Sequence, residues 1–191
     1  RLDLASGEER WIHPSQPGAG ALRATSVWAF AARDDRLYVA TNRGLVVYRP
    51  DCDCLRGLNH PSWDQLDGTG VIVTSVATAP EELWAAVWGG GLARFSATDE
   101  AFTHQLKNDN RSDGLAHPMV YSLHLDGDRR LWIGTYGGGV QYVDAAQRVV
   151  GAYWPLQRLA WSPARVESRF IWHLSEHDGD LTIGTGFGLF H

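Results

Sequence analysis

Leu37-Tyr-Val-Ala-Thr-Asn-Arg-Gly-Leu45, Leu83-Trp-Ala-Ala-Val-Trp-Gly-Gly-Gly-Leu92, Leu131-Trp-Ile-Gly-Thr-Tyr-Gly-Gly-Gly-Val140 and Leu181-Thr-Ile-Gly-Thr-Gly-Phe-Gly-Leu189 are one motif written four times. From leading Leu to leading Leu the copies stand 46, 48 and 50 residues apart. A repeat of roughly 40–50 residues is the length of a propeller blade of four short strands. The period decides the fold class.

Outward from the motif, each copy is preceded by a short apolar run. Val27-Trp-Ala-Phe30, Val73-Thr-Ser-Val76, Val120-Tyr-Ser-Leu123 and Ile171-Trp-His-Leu174 begin 10 or 11 residues before the motif. Polar turns separate run from motif: Arg33 to Arg36, Pro80 to Glu82, Asp126-Gly-Asp128 and Asp178-Gly-Asp180. That order reads as strand, hairpin, strand. The Gly cluster makes a second tight turn, and a third strand follows over Gly44 to Tyr48, Leu92 to Phe95 and Val140 to Val143. A fourth, more polar strand follows, as in Phe102 to Leu106 and Val149 to Trp154. The runs at Val27, Val73, Val120 and Ile171 are the most apolar and are assigned to the inner strand of each blade. No segment of 12 residues or more shows a helical period.

The expected architecture is therefore an all-β propeller of four blades, each of four antiparallel strands. Blades fall at residues 26–71, 72–118 and 119–169; residues 170–191 supply the first strands of a fourth. Residues 1–25 hold the outer strand of that split blade and a link, because the pattern of Gly91 to Phe102 reappears when Gly188-Leu-Phe-His191 is read on into Arg1 to Ile12. Such pairing closes a ring and hides strand edges. The alternative is a piece cut in phase from a longer array. The chain opens on Arg1 and its only Met is Met119, so a native start is expected upstream.

Composition narrows the function. Of 191 residues 44% are hydrophobic and 20% charged, a globular balance. The formal charge of −5 gives no basic footprint for nucleic acid. The longest apolar run, Val27 to Ala32, is far too short to span a bilayer, so membrane attachment is expected only through other parts of a parent chain. Cys52 and Cys54 flank Asp53. Residues two apart on a strand rarely bridge, and two thiols are half a zinc site, so the pair reads as a surface-loop feature without a role.

Residues 114 to 144, from Gly-Leu-Ala-His-Pro-Met through Leu131-Trp-Ile-Gly-Thr-Tyr-Gly-Gly-Gly-Val140 to Asp144, resemble the two-component regulator propeller repeat. The second copy keeps Leu83-Trp84 and Gly89 to Leu92, whereas Ala40-Thr41 and Thr182 depart from the usual Gly-Thr and Trp. The resemblance implies the ligand-sensing region, periplasmic or otherwise extracytoplasmic, of a bacterial signalling protein such as a membrane-bound histidine kinase. No phosphoacceptor helix and no cyclase signature stands in these residues, so a kinase or cyclase module would belong to a parent protein.

Catalytic patterns fit poorly. His173-Leu-Ser-Glu-His177 lacks the metal-helix order, and Asp109 to Gly114 has Arg111 at a calcium-ligand position. No Gly-x-Ser-x-Gly elbow occurs. Arg1 to Trp11 resembles a quinoprotein-type repeat once only, and the Asp-Gly-Asp turns lack the flanks of a glycanase box. No cofactor, no metal and no catalysis are expected. A protein-interaction or dimerisation scaffold is the alternative to ligand sensing, with a homodimer as its natural form.

The candidate binding face follows from propeller topology. Turns between second and third strands cluster with the entries of the inner strands around one mouth of the channel. The turns hold Asn42, Arg43, Trp88, Tyr136 and Phe187; the entries hold Trp28, Tyr121 and Trp172. Rings with a cation suit a carbohydrate or another flat, partly apolar or anionic small molecule. Trp28, Tyr121 and Trp172 also suit packing between blades, so Arg43, Trp88 and Tyr136 carry the assignment.

Overall fold

A computed structural model describes residues 24–58, 71–79, 82–96, 101–106, 114–144, 149–153 and 163–191. Four antiparallel sheets follow one another along the chain. The first holds β1 (Val27–Arg33), β2 (Arg36–Thr41), β3 (Gly44–Arg49) and β4 (Cys54–Leu58). The second holds β5 (Val73–Thr78), β6 (Glu82–Val87), β7 (Gly91–Ser96) and β8 (Ala101–Leu106). β9 (Val120–Leu125), β10 (Leu131–Thr135), β11 (Val140–Val143) and β12 (Val149–Tyr153) form the third. After a single turn of helix, α1 (Pro163–Glu167), come β13 (Ile171–His177), β14 (Asp180–Thr185) and β15 (Leu189–Phe190). The fold is a β-propeller. The strand expected over Arg1 to Ile12, and with it the closing of a ring by that strand, lies outside the described residues.

Each sheet is an up-and-down meander, and β1, β5, β9 and β13 lie against one another in succession. These are the inner strands. Their sequence pattern, apolar at the first and fourth positions, conflicts with the two-residue alternation of a flat strand. A β-bulge resolves the conflict, and it recurs at the same place in every sheet. Register slips between Val27 and Ala29, Val73 and Ser75, Val120 and Ser122 (opposite Thr135 and Gly134), and Ile171 and His173. The extra residue returns the fourth position to the face of the first. Val73 and Val76 consequently enter one core with Tyr38, Ala40, Leu45 and Val47 of the preceding sheet. Val120 and Leu123 pack with Trp84, Ala86 and Leu92, and Ile171 and Leu174 with Val140 and Trp132.

Small residues on the second strand let these seams close. A Cβ on Gly134 would stand 2.6 Å from Ile171 Cγ2 of the next sheet, so glycine is needed there for close approach. Tyr38 and Trp84, at equivalent positions of the second strands, fill the wedges between sheets and are buried. Trp132 is only half-buried, because its indole N–H reaches out to donate to Asp126 Oδ2 at 2.8 Å.

One expectation fails. Cys52 and Cys54 are joined in a disulfide, their Cα atoms 5.2 Å apart. Cys52 lies in the turn between β3 and β4 and Cys54 is the first residue of β4, so the bridge spans the end of the turn and not two positions within one strand. Asp53 takes a left-handed conformation (φ 50°) and its carboxylate accepts from Tyr48 Oη at 2.8 Å, which folds the two thiols onto one side.

Candidate binding mouth

The bulge that builds the seams also builds the site. Its extra residues are Trp28, Thr74, Tyr121 and Trp172, and a bulged side chain is re-aimed relative to its neighbours. Thr74 turns into the protein, its hydroxyl donating to Val120 O at 2.7 Å. The three aromatic residues instead meet one another. Tyr121 stacks edge-on against Trp28 at 6.2 Å between centroids and against Trp172 at 4.7 Å.

The turns between second and third strands arrive at the same end. A repeated hydrogen bond ties each turn to the residue before an inner strand: Asn42 N to Ser26 O, Trp88 N to Ile72 O, Tyr136 N to Met119 O and Gly186 N to Phe170 O, all 2.9–3.2 Å. Inside the turns a threonine hydroxyl donates back across the bend, from Thr41 to Gly44 O, Thr135 to Gly139 O and Thr185 to Gly188 O. Trp88 is thereby held 5.6 Å from Tyr121 and 5.9 Å from Tyr136, and Tyr136 lies 5.6 Å from Trp172. Side chains from all four sheets converge in one aromatic cluster.

Five of the eight sequence-derived residues, Trp28, Trp88, Tyr121, Tyr136 and Trp172, are in that cluster. Trp28, Trp172 and Tyr136 are exposed; Trp88 and Tyr121 are half-buried. Asn42 has a different task. Its Oδ1 accepts from Thr25 N and Ser26 N, and its Nδ2 donates to Thr25 Oγ1, which fastens the chain entering β1. Arg43 and Phe187 are exposed at the tips of their turns, and among the described residues no ring contact joins Phe187 to the cluster.

The structure adds two rings that sequence reasoning missed. Phe170 lies 4.7 Å from Tyr136 and His117 6.3 Å from it. Together with Gly137, Val166 and Arg169 they line an open depression beside the cluster. His117 accepts from Met119 N at Nδ1 (3.1 Å), leaving the ring proton on Nε2. Burial, helped by the positive charge of Arg169, lowers its pKa below the ordinary 6.5. The imidazole is neutral at physiological pH. The site thus presents stacking faces, one N–H donor and, at its rim, the side chain of Arg169.

Residues 114–137 match the family described as Two component regulator propeller. No curated protein matches the chain in sequence. Among solved structures, the extracellular domain of BT4673 from B. thetaiotaomicron, described as a hybrid two component system, superposes with a TM-score of 0.73 at 19% identity over 98% of this chain and 23% of that one. The corresponding domain of BT3049 from the same organism gives 0.65 at 22% identity, over 85% of this chain and 22% of that one. The computationally designed Ika4 protein gives 0.62 at 13% identity, over 93% of this chain and 98% of its own. The chain spans about a quarter of the length of the two extracellular domains. The matched stretch, residues 114–137, takes in the lead-in, β9, β10 and the start of the glycine turn, so this part of the third sheet is similar to a two-component regulator propeller repeat, and the fold that carries it is a β-propeller.

Proposed function

We propose that the chain is the ligand-sensing propeller of a bacterial two-component-type signalling protein, located outside the cytoplasm, and that it binds its ligand without transforming it. The observation that carries this reading is the convergence of aromatic side chains from four sheets at one mouth, three of them delivered by the same bulge. Buried rings would explain themselves by packing; here Trp28, Trp172 and Tyr136 keep exposed faces. Such faces stack on the apolar C–H faces of a sugar ring or on another flat molecule, while the His117 N–H and Arg169 suit hydroxyl or carboxylate groups at its edge. The resemblance of the third sheet and the extracellular origin of the two B. thetaiotaomicron neighbours support the sensing role.

The test is a titration of the purified chain with a panel of neutral and acidic mono- and oligosaccharides, followed by tryptophan fluorescence. A saturable change that disappears in Trp88→Ala is the expected result. A panel that leaves the emission unaltered, or binding that survives both Trp88→Ala and Tyr136→Ala, overturns the carbohydrate assignment.

A further inference from the structure

The two residues before an inner strand tie the turn of their own sheet to the turn of the sheet before it. Ahead of β9, Pro118 O accepts from Gly91 N at 3.2 Å, at the end of the turn that carries Trp88, and Met119 O accepts from Tyr136 N at 2.9 Å. Ahead of β13, Arg169 O and Phe170 O repeat the arrangement, accepting from Gly139 N at 3.1 Å and Gly186 N at 3.0 Å. The two pairs differ in how they are held. Arg169 N and Phe170 N both donate back to α1, to Val166 O and Glu167 O at 3.1 Å. Pro118 has no N–H to donate, and Met119 N donates instead to Nδ1 of His117 at 3.1 Å. An imidazole stands where the later pair uses the carbonyls of a helical turn.

We infer that His117 is a positioning residue of the mouth: by holding Met119 it sets the Trp88 turn against the Tyr136 turn, and so fixes the spacing of two stacking faces that a ligand meets together. The inference rests on the mouth being a binding site. The segment ahead of the imidazole is already pinned. Ala116 N donates to Oε1 of the buried Gln141 at 2.7 Å. A Cβ on Gly138 would come within 3.0 Å of the Cβ atoms of Ala116 and His117, so the segment lies directly on the glycine turn that follows Tyr136. The imidazole carries that fixed position on to Met119, and from there to the two turns. Its ring also lies 6.3 Å from that of Tyr136, a contact that any aromatic side chain could supply. The acceptor at Nδ1 is what the positioning needs.

The test compares two variants of the purified chain. His117→Phe keeps a ring beside Tyr136 but offers no acceptor; His117→Asn has a side-chain oxygen that can take the N–H two residues on, as in an Asx turn. In the ligand-free chain, NMR should show the Gly91 and Tyr136 amide and Trp88 indole N–H resonances shifted in His117→Phe and returned towards wild type in His117→Asn. Both variants should keep the wild-type circular dichroism. Affinity for whichever saccharide of the neutral and acidic panel binds the wild-type chain should fall about tenfold in His117→Phe, the worth of one hydrogen bond, and His117→Asn should rescue it. Resonances unmoved in His117→Phe, or moved equally in both variants, overturn the inference, as does unaltered affinity with moved resonances. Wild-type resonances with lost binding in His117→Asn overturn it too, because the imidazole would then act by touching the ligand. If no saccharide binds the wild-type chain, it is the reading of the mouth that fails, and the resonances alone decide what holds the two turns.

Discussion

Tyr121 and Leu123 stand two residues apart on β9 and belong to different worlds. Leu123 is sealed in the seam against the second sheet; Tyr121 meets Trp28, Trp88 and Trp172 at the mouth. The same division runs through β6 and its turn, where Trp84 is buried and Trp88, four residues on, is half-exposed. Identical residue types thus serve opposite purposes depending on which side of one bulge they fall. What separates them is the availability of a covering sheet. The seam is filled by the chain itself, whereas at the mouth the rings touch only along their edges and leave faces to solvent.

The largest effect is expected on the seam side. Leu123→Asp places a carboxylate among Trp84, Leu92 and Ile133 with no partner, and burying an unpaired charge costs several kcal/mol. Against a total of about 5–15 kcal/mol that is enough to prevent soluble expression. Soluble protein with a cooperative melt would show that β9 does not occupy the inner position. Trp84→Ala should follow, at roughly 3–5 kcal/mol by chemical denaturation, because the cavity left between second and third sheets cannot collapse around fixed strands. A loss below about 1 kcal/mol would mean that Trp84 is no more buried than Trp88.

The sheets were legible in the sequence because each is one copy of a repeat, so an ambiguous strand in one copy is settled by a clear one in another. The turns were legible for the same reason, which is why Trp88 and Tyr136 could be placed together from spacing alone. The bulge was not. A three-residue apolar spacing in a strand has no unique reading until the partner strand fixes the register. His117 and Phe170 escaped for a related reason: they sit just before inner strands, where the motif holds no pattern, and join the mouth through ring contacts with Tyr136 that no spacing announces. The disulfide was hidden by the left-handed Asp53, a conformation that Asp adopts in turns but that its identity alone does not dictate.

At the opposite end of the sheets from the mouth, the chain saturates its polar groups, and there the effect should be intermediate and pH-dependent. Asp126 accepts from Arg130 N, Arg130 Nε and Trp132 Nε1, all at 2.8 Å. Burial alone would raise its pKa; those donors and the Arg130 charge outweigh it and hold the carboxyl below the ordinary 3.8. A depressed folded-state pKa contributes stability above the unfolded value of about 4, and that contribution is lost as pH falls through the lower folded one. Asp126→Asn removes the charge from all three bonds and should cost about 1.5–3 kcal/mol at neutral pH. The gap to wild type should narrow on acidification below about pH 4. Thermal melts of both proteins from pH 3 to 7 check the sign, and parallel curves would mean that Asp126 is not charged in the folded state.

The smallest effect on stability is expected where the effect on binding is largest. Trp88 contributes edge contacts to Tyr121 and Tyr136, each worth about 0.5–1.5 kcal/mol beyond area where both rings are dry, and less where one face is wet. Its backbone position is fixed independently by the bond from its N–H to Ile72 O at 2.9 Å, which alanine retains. Trp88→Ala should therefore leave the turn in place and shift the melting temperature by only a few degrees, and Tyr136→Ala, anchored in the same way to Met119 O, should behave alike. Both should abolish the fluorescence response to whichever saccharide the wild-type chain binds. If either costs as much as Trp84→Ala, the mouth is a fourth seam: its rings hold sheets together, and the face they leave exposed is the remnant of packing.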